Sequence, residues 1–275
     1  MLRTRVITAL VLLAVLLAVL YFNSFPAFAI VTAIFFAAAS WESFRLFGNR
    51  YPVVGAIIWT LGFCLIAFTF KSSPFDTKTL FALCAAIWLI RLVPSLAMGL
   101  PPLNGFGNRV LTVIYEIAIL GCFVAILSLF AKHSSLYLFS VLAIVWIADI
   151  GAYFSGKALG KHKLAPSISP GKSWEGAIGG WLAVLLSGAA TTMVAGLSDT
   201  FPAKLQLTWG WTGFVACMTA IAAASVVGDL FESQLKRRID MKDSSNLLPG
   251  HGGVLDRIDA LIPALPLAVL FDSMF

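Results

Sequence analysis

The chain is short of charge. Asp, Glu, Lys and Arg make up 12% of its 275 residues, where soluble domains carry about 25%. Hydrophobic residues reach 60% and the mean hydropathy is +0.93, which excludes an ordinary soluble domain and identifies an integral membrane protein. Cysteine is scarce too. Cys64, Cys84, Cys122 and Cys217 each lie within an apolar run and share no metal or redox spacing, so no disulfide framework is expected. The three scattered histidines exclude a histidine-rich metal centre. No Ser or Cys stands beside a histidine base as an activated nucleophile.

Long apolar runs dominate instead. They fall at about 6–22, 26–43, 53–70, 79–98, 110–131, 136–154, 176–196, 208–228 and 254–274. Each approaches the roughly 20 residues needed to cross a bilayer. The expected fold is therefore all-α and polytopic, with about nine transmembrane helices. The run at 26–43 is the weakest, being short and starting at Pro26. The first run follows Arg3 and Arg5 and shows no clear cleavage site, so it reads as a retained helix.

The basic residues orient these spans. With a cytoplasmic N-terminus, thirteen Lys and Arg fall in inside segments, among them Arg3, Arg5, Arg45, Arg50, Lys172 and Lys236. Only Lys71, Lys78, Lys132 and Lys204 fall outside. That asymmetry follows the positive-inside rule. It puts both long polar stretches, 155–175 and 229–253, on the cytoplasmic side. Acidic residues are unevenly shared as well. Residues 1–135 hold Glu42, Asp76 and Glu116, whereas 149–259 hold nine of the thirteen. The first half reads as a scaffold open to a lipid-facing role, and residues 136–275 as the catalytic half.

Four constellations carry chemistry. If the eighth run continues as a helix, Asp229, Glu232, Ser233 and Lys236 share one face, with Arg237 beside them. The bland alternative is a solvated helix end with a routine Glu232–Lys236 pair. Next, Pro249-Gly250-His251-Gly252-Gly253 leads into Asp256, Arg257 and Asp259. Glycines ahead of a helix let N–H groups approach a phosphate. Carboxylates one turn apart beside a phosphate imply a hard divalent ion, most often Mg2+. A buried Asp–Arg cap is the alternative there. Third, Asp149 and Tyr153 stack one turn apart at the end of the sixth run, and an intramembrane Asp is a functional candidate by default. Fourth, Lys172 and Ser173 in SPGKSWEG are natural phosphate contacts, although Ser173 also suits a helix N-cap. The segment lacks the Gly-x4-Gly-Lys spacing of a P-loop. Several cations, carboxylates and glycines without a covalent nucleophile suit phosphoryl or nucleotidyl transfer.

The run Ser233-x-x-Lys236-Arg237-x4-Lys242-Asp243, followed by Pro249-x-His251-Gly252-Gly253-x-x-Asp256-Arg257-x-Asp259, resembles the signature of the phosphatidate cytidylyltransferase (CDP-diacylglycerol synthase) family. The elements around Asp149–Tyr153 and Lys172–Glu175 resemble it too, with Gly171 standing where a Lys is common. The likeness is specific over 149–259 and only architectural before that. It implies transfer from CTP to phosphatidate with Mg2+ and a second cation, in a homodimer of the bacterial inner membrane, with no nucleic-acid partner. By this likeness Asp229 and Asp256 would be the main metal ligands, and Ser233, Lys236 and Arg237 would contact phosphate. Taken with the residues themselves, the expected catalytic set is Lys236, Arg237, Asp256 and Arg257. Substrate contacts are expected from Asp149, Tyr153, Lys172, Ser173, Ser233, Lys242, His251, Gly252 and Gly253. Metal ligation is expected from Asp229, Asp256 and Asp259. Two alternatives stay open: a CTP-dependent transferase acting on another lipid phosphate, and an ion-coupled transporter using Asp149, Asp256 and Asp259 as a relay.

Overall fold

The computed structural model describes residues 2–70 and 77–274, apart from the side chains of 2–6, 9 and 12. Lys71, Asp76 and the side chains of Arg3 and Arg5 lie outside the described residues. The protein is an all-α polytopic membrane protein. Among the described residues, seven helices are long and apolar enough to cross a membrane, and they coincide with seven of the nine expected runs. After α1 (Leu2–Phe22) come α2 (Phe25–Leu46) and α3 (Pro52–Thr69). The next span joins α4 (Thr77–Ile87) to α5 (Val93–Met98) through a π-helical turn at Trp88–Leu92. Pro94, which lacks an N–H, sits at the exit of that turn. Then follow α6 (Phe106–Lys132), α7 (Ser135–Leu159), α8 (Trp174–Met193) and α9 (Phe201–Arg238). The segment expected to be weakest, α2, is a helix of 22 residues, and its proline sits in the first turn, where no N–H partner is lost.

The ninth run holds two helices in line, α10 (Leu255–Ile258) and α11 (Leu261–Asp272). The backbone stays in the right-handed helical region at Asp259 and Ala260 between them, so from Val254 to Ser273 the run rises about 30 Å, comparable with the hydrocarbon core. Ile262, Leu265 and Ala268 are fully buried, and α11 is enclosed by α4, α6 and α9, which accounts for its all-round apolarity.

α9 departs from the sequence boundaries. It bends at Gly210, whose φ is +67°. From Trp211 to Arg238 it rises about 42 Å, past the hydrocarbon core and into the headgroup level. The polar stretch expected to begin at Asp229 is therefore still helical through Arg238. The other polar stretch holds a small addition to the all-α plan. Strands β1 (Lys163–Ala165) and β2 (Ser169–Ser173) pair antiparallel, with Lys163 opposite Ser173.

Helices α7 and α8 meet along a seam of glycines. A Cβ on Gly151 would lie 2.8 Å from Ala183 Cβ and 3.1 Å from Gly180 Cα. Such close backbone approach is how membrane helices associate without a hydrophobic drive. At the opposite end of the bundle from the hairpin, Asp272 accepts from Tyr137 Oη at 2.5 Å and pairs with His133 Nε2 at 2.9 Å. This ties the end of α11 to the α6–α7 junction.

Candidate active site

The polar stripe on α9 forms as its spacing predicts. Ser233 Oγ donates to Asp229 Oδ1 at 3.3 Å, and Lys236 pairs with Glu232 one turn earlier. The pair is more than a solvated helix end. Lys236 Nζ also reaches Asp256 Oδ1 at 2.6 Å, bridging α9 to α10. Glu232 is fully buried and its Oε1 has no hydrogen-bond partner. Gly228 makes the approach of the two segments feasible, because a Cβ there would strike Pro263 and the Asp259 carbonyl.

Asp256 is the hub of the glycine turn. Its Oδ2 accepts from Ser244 N at 2.8 Å, Ser244 Oγ at 2.8 Å and Gly253 N at 2.7 Å. Gly252 has a φ of +84°, and a Cβ there would sit 2.7 Å from Asp256 Oδ2. A side chain at 252 would thus be strained and would crowd the carboxylate. The anion that the Gly253 N–H holds here is the protein's own Asp256 carboxylate. His251 turns its carbonyl to Arg257 Nη2 at 2.7 Å, while its own Nδ1 is buried without a partner.

The hairpin brings in the other polar stretch. Lys172, near the end of β2, forms an ion pair with Asp229. Glu175 fastens the hairpin by accepting from Lys161 N at 3.1 Å and pairing with His162 Nδ1 at 2.6 Å. Ser173 takes the capping alternative: it is buried, and its Oγ accepts from Gly176 N at 3.2 Å at the start of α8. A buried, engaged hydroxyl is not positioned as a substrate contact. Asp149 lies within electrostatic reach of Asp229, Lys172 and Arg257, so it joins the cluster. Tyr153, one turn on, does not. It is 62% exposed and its ring faces Lys157 Nζ at 5.9 Å. Arg237 and Lys242 are exposed and form no ion pair among the described residues.

Sequence reading missed the residue that anchors this loop. Glu42, fully buried on α2, accepts from Ser245 Oγ, from Val254 N at 3.0 Å and from Leu255 N at 2.6 Å. The last two are free N–H groups at the start of α10, so Glu42 caps that helix from a distant part of the chain. A lone acid among the apolar residues of α2 was the available signal.

Asp149, Asp229, Glu232, Asp256 and Asp259 thus share a site with Lys172, Lys236 and Arg257. Five carboxylates face three cations, leaving an excess of acid. Among the described residues no three acidic, His or Cys side chains form a ready-made metal cage. The donor set nonetheless fits Mg2+, which typically takes one or two carboxylates and completes its shell with water and substrate phosphates. The unpartnered Glu232 Oε1 adds to the local demand for positive charge.

Fold and site together define a polytopic membrane protein with a charge-rich site at one end of its helices. A family model described as the cytidylyltransferase family matches residues 3–275. A phosphatidate cytidylyltransferase of Haemophilus influenzae is 36% identical over 284 residues, covering 97% of this chain and 96% of that protein. One from Pseudomonas aeruginosa is 37% identical over 272 residues, covering 97% and 95%. One from Bacillus subtilis is 38% identical over 144 residues, about half of each chain. The chain belongs to the cytidylyltransferase family. That is a family of enzymes, which sets the transporter alternative aside.

Proposed function

We propose that the protein transfers the cytidylyl group of CTP to phosphatidate, giving CDP-diacylglycerol and pyrophosphate. The observation that carries this reading is the convergence of Lys172–Asp229 and Lys236–Asp256 from two polar segments into one site. The relatives named for phosphatidate support the choice of lipid.

The lipid phosphate attacks the α-phosphorus of CTP. A new P–O bond forms, the bond to the β-phosphate bridge breaks, and pyrophosphate leaves. A phosphate monoester has a second pKa near 6, so it is largely dianionic at neutral pH. No strong general base is needed, which matches a site without a nucleophile–base pair. Lys236 and Arg257 offset phosphate charge, with Lys172 placed to take a share. Arg237 and Lys242, exposed at the end of α9 and just beyond it, attract the anionic headgroup. Asp229, Asp256 and Asp259 would hold Mg2+, and a second cation would meet the remaining acid. When bound, Mg2+ neutralises the CTP phosphates and favours the leaving group. Lys and Arg asymmetry supports a site facing the cytoplasm of a bacterial inner membrane; the homodimer rests on the family resemblance alone.

The test is an assay of purified protein with labelled CTP and a panel of lipid phosphates, with and without Mg2+. CDP-diacylglycerol should form from phosphatidate and fail to form in excess chelator. Turnover on an isoprenoid phosphate in place of phosphatidate would move the reading to the other lipid substrate. Asp229→Asn and Asp256→Asn should nearly abolish turnover while the protein still inserts. Near-normal turnover in either would falsify the metal assignment.

A further inference from the structure

A lipid-facing cavity lies between α2 and α3, away from the carboxylate cluster. Its volume is about 600 Å³ and its walls include Phe25, Ala29, Ala33, Ala37, Cys64 and Phe68. Ala29, Ala33 and Ala37 recur every fourth residue, so small side chains floor the groove along one face of α2. A second hollow of about 300 Å³ shares Ala37 and Thr60 with the first and continues to Trp41 and Val53. From Phe25 to Trp41 the groove follows α2 for about 24 Å. Beyond it the helices close up, because the Phe44 ring fills the space where a Cβ of Gly55 would stand, 2.7 Å away. Each hollow falls within the roughly 300–1,000 Å³ of ligand pockets.

The closed end of the groove is basic. Arg45 lies 4.6 Å from the centre of the Trp41 ring that lines the hollow, and Arg50 lies 5.3 Å from the Tyr51 ring at the start of α3. Neither pairs with a carboxylate among the described residues. A Trp beside cations at a helix end marks the membrane–water interface. An apolar groove in the hydrocarbon region, ending below two guanidinium groups that have no carboxylate partner among the described residues, matches a molecule with an oily chain and an anionic head.

We propose that the α2–α3 groove binds an anionic diacyl phospholipid, with one acyl chain along Ala29–Ala37 and the headgroup phosphate on Arg45 and Arg50. The bound lipid is a resident of the scaffold half. The inference does not depend on the reaction proposed above. Arginine favours phosphate because its planar fork offers paired donors. The end it occupies is the one where Glu42 holds the α10 loop, so the lipid also braces the helix that carries that carboxylate.

Native mass spectrometry of the detergent-purified protein tests this, with phosphatidylglycerol or phosphatidylcholine carrying the same acyl chains as probes. The wild type should retain phosphatidylglycerol roughly tenfold more than phosphatidylcholine, as two basic contacts predict. Arg45→Ala/Arg50→Ala should retain the two about equally. Ala37→Trp, which fills the groove, should lose both lipids. If Ala37→Trp fails to fold, Thr60→Phe fills the same space from α3. Photoreactive acyl chains on the wild-type protein should label peptides of α2 and α3. Equal retention of the two lipids by the wild type, full retention by a folded groove-filled variant, or labelling confined to other helices would each overturn the proposal.

Discussion

At the scale of single residues, the site depends on charges that are buried yet matched. Glu42 satisfies a serine hydroxyl and two backbone N–H groups at once. Glu42→Ala would leave those donors unpaired in a buried setting, and an unmet buried donor costs about 1–3 kcal/mol. The melting temperature in detergent should fall, and turnover should fall more than tenfold as the loop under Asp256 loosens. A lower melting temperature with unchanged turnover would leave Glu42 a packing role only. Lys236 is the second case. Lys236→Met strands Glu232 as an uncompensated buried charge, a loss of about 3–5 kcal/mol. Adding Glu232→Gln should recover part of the thermal stability, because Asp256 still lacks its lysine, while turnover stays low. The residues that sequence made legible were those whose partners lie close in sequence, such as Asp229, Ser233 and Lys236 on one helical face. Glu42 was not legible, because its partners lie more than 200 residues away. Nor was the engagement of Gly253 by Asp256, since a glycine turn of the same spelling fits either a ligand or its own carboxylate.

At the scale of elements, hydropathy located the spans well and their ends poorly. Continuous apolarity does not distinguish a helix facing lipid from one enclosed by protein, so the burial of α11 leaves no mark in its hydropathy. Charge begins at Asp229 while the helix runs on to Arg238, so hydropathy ends the span well before the helix ends. The hairpin left little trace, since its two strands are only 3 and 5 residues long. Its placement depends on the glycine seam behind it. Gly180→Leu would drive a side chain into the Ala148 carbonyl of α7. The two helices should then separate, carrying Lys172 away from Asp229. Turnover should drop by at least tenfold while the protein remains membrane-inserted, and a disulfide trap between the hairpin and α9 should form more slowly than in the unsubstituted background. Normal turnover in Gly180→Leu would show that the seam does not set the position of Lys172.

At the scale of the whole molecule, the two polar segments share one end of the bundle, and the Asp272–Tyr137–His133 cluster marks the other. This makes sidedness a single measurement. In a variant lacking its four native cysteines, Gly171→Cys in the hairpin should react with an impermeant maleimide only after the membrane is opened. Gly196→Cys, in the turn after α8, should react in intact cells. The reverse pattern would overturn the cytoplasmic placement. The ion pairs inside the site carry one more consequence. Lys172 and Lys236 are held by Asp229 and Asp256, so each charge is quenched from within the protein. A polyanion that draws the lysines away uncovers both carboxylates at the same moment. Affinity for phosphate and affinity for a cation must then rise together, and by equal factors. On the proposed reading the site would work as a coincidence detector, weak toward a stray phosphate or a stray cation and strong only when both arrive.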